Sequence, residues 1–307
     1  MRAALLSMDT MLQGSLAILF SSVLWGTTGT VASFAPQVSP LAVGAFAMGV
    51  AGLLLGVMYR NAIKSDWYVL KNSPLLLAVG AVSLAIYPLA FYSSMRMAGV
   101  AVGTVISIAS APFFAVLIEQ IFGRKQTLST RWLISAVAGT AGIIMLTLAE
   151  TAHSKGAAEN DQLILGVILG LVAGLTYTLY AWVAKQFINQ GVESKSAMGA
   201  IFLLGACILL PSLYFTGNNL FSTMENTLVV TYMALVPMFL GYVAFGFGLK
   251  FVNASKATLL TLFEPVVAAV LAIVVVGELI SPIGWLGMAL ISVCLLLQAS
   301  EKGETAQ

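Results

Sequence analysis

Long apolar runs, each closed by a short polar stretch, recur from one end of the chain to the other. Taking ~20 mainly apolar residues as the length that crosses a ~30 Å hydrocarbon layer, the pattern predicts ten spans. Five come first, at 14–34, 40–59, 73–96, 101–121 and 130–149, and five follow, at 163–186, 196–216, 227–249, 254–277 and 283–299. Between the sets lies ETAHSKGAAENDQ at 150–162, the most polar internal stretch. It is the expected extracytoplasmic linker between a first half, 1–149, and a second, 163–300, with a tail at 301–307. The expected fold class is all-α and transmembrane.

One span carries an anomaly. Glu264 and Pro265 sit half-way along the ninth run, and at ~1.5 Å per residue Glu264 is ~15 Å from its start at Ala254, near the bilayer midplane. A charge there costs ~2.5–3.5 kcal/mol on insertion scales, so the side chain should face protein or a wet cavity. The fourth run is a weak copy of the ninth at a shift of 153 residues: Pro112 falls on Pro265, Ala101 on Ala254, Ala115 on Ala268 and, one helix on, Trp132 on Trp285. Ala111 stands where Glu264 would be. The first and sixth runs agree at a shift of 152, with Gly14 on Gly166 and Trp25 on Tyr177. Because five is odd, a second half that repeats the first must enter the membrane from the other side. An inverted repeat of this kind is how many secondary transporters build a midplane site and alternate its access.

Composition agrees with the pattern: 60% of residues are hydrophobic and 8% charged, against ~25% charged in soluble domains. The mean hydropathy is +0.99. A net charge of +2 with no basic cluster among aromatics excludes nucleic acid as a partner. Placing the N-terminus inside puts twelve Lys and Arg on the cytoplasmic side and leaves Arg96 and Lys155 outside. The positive-inside rule thus predicts both termini in the cytoplasm. Cys207 and Cys294 lie in apolar helices, and His153 stands by itself in a polar loop, so no metal constellation is predicted.

Within the spans, Pro88, Pro112, Pro237 and Pro265 free the carbonyls of Leu84, Ile108, Met233 and Thr261, and such breaks need protein or water to satisfy them. Gly166, Gly170 and Gly174 form a side-chain-free stripe that fits close helix packing within a monomer or a homodimer interface. Glu264 is either a protonatable group for proton-coupled or charge-selective binding, or a structural carboxylate bonded to the Thr261 hydroxyl or to backbone freed at Pro265. Glu119, ~27 Å into its span, reads as structural, and Glu278 at the outer end as a solvated or capping group. Trp67, Trp132 and Trp285 fall at interfaces, where such rings are ordinary. Trp25 is ~16 Å into its span, and Tyr87, Phe91, Tyr177, Tyr180 and Tyr242 fall at similar depth. With Thr261 and Glu264 these rings make a candidate substrate pocket, a mostly apolar cavity with a few polar groups.

No GxxxxGK[ST] loop, HExxH or GxSxG motif occurs, so neither ATP hydrolysis, intramembrane enzyme chemistry nor a cofactor is predicted. The opening LWGTTGTVASFAP at 24–36 and FEPVVAAVLAIVVVGELISPIGWLGMALISVCLLL at 263–297 resemble the EamA family of the drug/metabolite transporter superfamily, over roughly residues 14–299. The resemblance implies a ten-helix inner-membrane carrier, often an exporter of amino acids or related metabolites, with a cavity between the halves. The family's ninth-helix pattern EPVxAA…GE is matched by Glu264, Pro265, Val266, Ala268, Ala269, Gly277 and Glu278, and its first-helix Trp-Gly by Trp25 and Gly26. Many members keep Gly-Glu at the end of the fourth helix; this chain has Gly123 and Arg124. The expected function is secondary or facilitative transport, outward, of a small amphipathic, amino-acid-like metabolite. A nucleotide-sugar or multidrug carrier of the same superfamily, and a sensor or scaffold that binds without transporting, are the rivals.

Overall fold

The computed structural model describes residues 2–122, 130–151, 157–248, 251, 260–261 and 263–299. Gly123, Arg124, Lys125, His153, Lys155, Lys250, Lys256 and Lys302 lie outside them, as do residues 254–259 of the expected ninth span. All regular elements among the described residues are helical. In order they are α1 (Arg2–Gly26), α2 (Thr28–Ser33), α3 (Pro40–Met58), α4 (Arg60–Asn72), α5 (Pro74–Ala98), α6 (Val100–Phe122) and α7 (Thr130–Thr151). There follow α8 (Ala157–Asn189), α9 (Ser194–Thr216), α10 (Met224–Met233), a π-helical segment Ala234–Leu240, α11 (Gly241–Gly248), α12 (Phe263–Leu271) with a π-helical end Ala272–Val276, and α13 (Pro282–Ala299).

Among the described residues, seven stretches are long and apolar enough to cross a membrane: Met11–Ser33, Pro40–Met58, Pro74–Ala98, Val100–Phe122, Asp161–Asn189, Ser194–Thr216 and Met224–Gly248. Shorter apolar helices, Ile134–Met145, Phe263–Val276 and Pro282–Cys294, fall in the fifth, ninth and tenth expected runs. The protein is an integral, multi-pass membrane protein.

Local sequence explains the boundaries. Pro40, Pro74 and Pro282 each open a helix, where the missing N–H would have had no helical partner anyway. Gly99 is the single residue between α5 and α6 and has φ +90°, a conformation that a side chain would strain. The first run is not one helix: it is interrupted at Thr27, whose hydroxyl donates to the Leu24 carbonyl at 2.6 Å and lies 3.0 Å from the Tyr232 hydroxyl.

A second difference is α4, in what the hydropathy pattern leaves as a loop between the second and third runs. Its 13 residues are too few and too charged to register as a span. They fold because Ile63 and Leu70 share a buried face, while Trp67 and Tyr68 stay exposed. Asp66 on this helix accepts the Glu193 N–H ahead of α9 at 2.9 Å.

Packing pairs elements from the two parts of the chain. α5 and α6 both lie against α8, while α1 lies against both α11 and α12; α3 meets α9, and α7 meets α13. The Gly166, Gly170 and Gly174 stripe is consumed inside this arrangement, against Ala98, against Ser94 and Ile106, and against Ser107 and Ser110 respectively. Of the two sequence readings of the stripe, packing within one chain accounts for it. Among the described residues, Tyr180, Phe187 and Phe202 are the largest fully buried side chains of the core.

Candidate functional site

The interrupted and proline-bearing helices converge on one cavity. It holds about 660 Å³ of non-atom space, its open mouth included. Trp25 and Thr28 reach it from the α1–α2 break, Tyr87 and Phe91 from α5, and Ser107, Ile108 and Ala111 from α6. Tyr177 comes from α8, Met238 from the π-helical segment, Tyr242 from α11, and Thr261 and Glu264 from the ninth run.

Trp25 is fixed by the wide turn opposite. Pro237 sits in the seven-residue π segment, and its carbonyl accepts the Trp25 indole N–H at 2.9 Å. Gly241, one turn on, lets the indole lie close: a Cβ there would fall 2.7 Å from Trp25 Nε1. The ring packs tilted on Tyr242 and Phe245, at 5.2 and 5.3 Å between centroids. A proline in this run predicts a freed carbonyl; the wide turn and its indole partner are beyond what the sequence signals. Ser21 adds a hydroxyl bond to the Gly241 carbonyl at 2.9 Å.

On the other wall, Tyr87 lies 5.6 Å from Phe91 and 5.5 Å from Tyr177, again tilted. Tyr180 differs from the other expected pocket residues. It is 2% exposed and does not line the cavity; its hydroxyl lies 3.2 Å from that of Tyr242, so it buttresses that ring from behind. A three-residue step from Tyr177 turns the side chain by roughly 60° around the helix, enough to move it from the wall into the core. Trp25, Tyr87, Phe91, Tyr177, Tyr242, Thr261 and Glu264 are brought together.

Thr28, Ser107, Ile108, Ala111 and Met238 line the cavity without having been singled out from sequence. Ile108 and Ala111 could have been found, because they are the partners of Thr261 and Glu264 at the shift of 153 residues. The hydroxyls of Thr28 and Ser107 are both used locally, donating to the Trp25 carbonyl three residues back at 2.8 Å and the Gly103 carbonyl four residues back at 2.7 Å.

Glu264 enters through a close helix contact. Gly26 faces it so tightly that a Cβ there would lie 2.9 Å from the Glu264 carbonyl oxygen and 2.7 Å from Val267 Cβ. The Trp-Gly pair of α1 thus places one ring in the cavity and brings α12 against its helix. The Glu264 carboxyl lines the cavity, and no hydrogen-bond or ion-pair partner for it exists among the described residues. Among the described residues, no Lys, Arg or His lines the cavity. Arg96 is committed elsewhere, donating to the Pro36 and Val38 carbonyls at 2.9 and 3.1 Å. Glu278 is a helix cap, its two oxygens accepting the N–H groups of Val100 and Ala101 at 2.5 and 3.0 Å. No cluster of three metal-ligating side chains occurs among the described residues.

The sequence model of the EamA-like transporter family matches twice, over residues 12–148 and 164–298. The chain is 33% identical over 300 residues to the uncharacterized transporter YwfM of Bacillus subtilis (strain 168), covering 95% of this chain and 96% of that one. It is 25% identical over 286 residues to a probable terminal-alkyne amino-acid exporter of Streptantibioticus cattleyicolor, covering 88% and 91%. A solved crystal structure shares the fold with a TM-score of 0.63 at 18% identity, over 93% of this chain and 96% of the other.

Proposed function

Because the chain belongs to the EamA-like transporter family, we propose that it is a secondary or facilitative carrier that exports a small amphipathic, amine-bearing metabolite of amino-acid size by alternating access. The family settles the coarser point: this is a membrane transporter and not an enzyme. A small-molecule substrate and membrane lipid are its partners. In the proposed arrangement the inverted halves 1–149 and 163–300 form a ten-helix carrier in the bacterial inner membrane, joined by an external linker at 150–162. Both termini face the cytoplasm.

The observation that carries the reading is a carboxyl, Glu264, with no partner among the described residues, in a cavity walled by aromatic rings from several helices. A buried ion without a partner is costly, and a substrate or a proton that neutralises it would relieve that cost. Repeat-related positions support a midplane site between the halves: Ile108 with Thr261, Ala111 with Glu264, and Trp25 with Tyr177 all line it. The mirrored packing of α5 and α6 on α8, and of α11 and α12 on α1, supports the same view. The absence of cations from the lining, among the described residues, weighs against nucleotide sugars. Export, amino-acid likeness and proton coupling rest on the site chemistry and on the printed role of the Streptantibioticus relative.

Flux of a pooled, labelled metabolite set in proteoliposomes, with and without a pH gradient, tests the proposal against a sensor that binds without transporting. Selective flux that responds to the gradient in wild type and not in Glu264→Gln is the expected result. Binding that saturates at protein stoichiometry with no flux would overturn it.

A further inference from the structure

A second surface stands apart from the cavity. Between α3 and α5 the chain leaves the bilayer-length pattern for the 13 residues of α4 and returns to it at Pro74. The residues that border this helix, Val57, Met58 and Leu75, are apolar and 61, 53 and 78% exposed. In a membrane protein such side chains face acyl chains, so hydrocarbon reaches the chain at both ends of α4. The helix itself therefore lies along the boundary between lipid and water.

At 3.6 residues per turn, Arg60, Lys64, Trp67, Tyr68 and Lys71 fall within about 100° of the circumference and over a length of about 17 Å. All five are exposed. Ile63 and Leu70 occupy the neighbouring buried arc. Asp66, the one acidic residue of α4, shares that arc and is spent on the Glu193 N–H. Among the described residues, none of the three cations has a carboxylate at ion-pair distance.

A helix face that merely meets water carries both signs in alternation; this stripe carries one. Arg60 and Lys64, four residues apart, repel each other, and an anion shared between them turns that repulsion into attraction. Lys71 folds over Tyr68, its Nζ 5.3 Å from the ring centre, beside a Trp at the depth where such rings seat in the headgroup layer. The helix under the stripe is fixed to α9. A Cβ on Gly199 would come 3.1 Å from Ile63 Cδ1, and Asp66 takes the N–H just ahead of the same helix.

We propose that this stripe of α4 binds the phosphate-bearing headgroup of an anionic phospholipid. Arg60, Lys64 and Lys71 supply the charge, and Trp67 and Tyr68 the interfacial seat. The site rests on the membrane-embedded fold and not on the substrate or the transport cycle. Because α4 follows α3 and is held to α9, the lipid seats on an element that ties two distant parts of the chain together. A basic side chain near a charged bilayer surface is worth roughly a fivefold gain in binding, so removing two should cost at least tenfold.

Dioleoylphosphatidylglycerol and dioleoylphosphatidylcholine share acyl chains and phosphate and differ in net charge. Each is titrated into the full-length protein in neutral detergent, with bound lipids counted by native mass spectrometry. Wild type should hold a first phosphatidylglycerol at least tenfold more tightly than phosphatidylcholine, and excess inorganic phosphate should not displace it. That preference should fall at least tenfold in Lys64→Gln/Lys71→Gln and survive in Lys64→Arg/Lys71→Arg. It should also survive in Arg131→Gln/Lys185→Gln, which removes the same charge elsewhere. In wild type, phosphatidylglycerol and not phosphatidylcholine should slow amide hydrogen exchange across residues 60–72.

Equal affinity for the two lipids would overturn the proposal, as would equal losses in the two glutamine pairs. Displacement by inorganic phosphate would assign the stripe to a soluble anion, and protection confined to other helices would place the lipid elsewhere; either result overturns it. The lipid comparison and the exchange measurement use wild-type protein, so they decide the matter even if a double variant fails to fold.

Discussion

Replacing Glu278 by alanine should unfasten the N-terminal end of α6. The two oxygens of this side chain take the N–H groups of Val100 and Ala101 at 2.5 and 3.0 Å, the first two residues of a helix whose opening N–H groups have no carbonyl within the helix to receive them. Hydrogen bonds to a charged acceptor contribute about 1.5–3 kcal/mol each, and an anion at an exposed helix N-terminus adds about 0.3–1 kcal/mol. Glu278 is partly exposed, so water replaces part of what is lost and the total falls somewhat below the low-end sum of about 3.3 kcal/mol, to about 2–3 kcal/mol for Glu278→Ala. Glu278→Gln keeps one neutral acceptor and should cost about 1–1.5 kcal/mol. The direct assay is amide hydrogen exchange in detergent or nanodiscs. At about 2 kcal/mol, exchange at Val100 and Ala101 should accelerate roughly 30-fold in the alanine variant, with a smaller change in glutamine and none at the buried middle of α5. Thermal unfolding should shift down by a few degrees in the same order. Exchange at Val100 and Ala101 within threefold of wild type in Glu278→Ala would refute the reasoning.

Two other substitutions separate packing from recognition. Gly26→Ala would put a Cβ 2.7 Å from Val267 Cβ and 2.9 Å from the Glu264 carbonyl, so overpacking of about 1–3 kcal/mol should lower the melting temperature and cut flux while membrane insertion persists. Wild-type melting and flux would show that the two helices can part without consequence. Trp25→Phe keeps a ring against Tyr242 and Phe245 but removes the donor to Pro237, costing about 1 kcal/mol of stability. Substrate binding should stay closer to wild type than in Trp25→Ala, and equal loss in both would mean that the indole bond to Pro237, not the ring face, is what binding depends on.

Glu264 and Trp25 were legible because a charge and an indole at mid-span violate the rule that apolar runs obey, and a violation in a regular background is easy to see. Tyr180 shows the limit: depth along a helix follows from residue count, but the face does not when the whole circumference is apolar. Thr28 and Ser107 escape notice because single hydroxyls bonded to a carbonyl three or four residues back are ordinary in such spans. That Glu278 caps something could be read from its place at a span end. Which of the many helix starts it caps, 178 residues away, is a matter of tertiary packing. The α4 helix carries an amphipathic pattern shorter than any window that finds spans.

The Glu278 clasp also imposes an order on biosynthesis. At roughly 5–20 residues per second, the 178 residues between Val100 and Glu278 take a ribosome roughly 9–36 s to make. For that interval the first turn of α6 has emerged without its acceptors, and the Trp25 indole waits likewise for Pro237, 212 residues later. The first half, though complete in sequence, is an unfinished object until the second arrives. A translational pause near residue 237 would lengthen the most vulnerable period in the life of the chain, and a nascent chain stopped there is the form that membrane proteases would meet first.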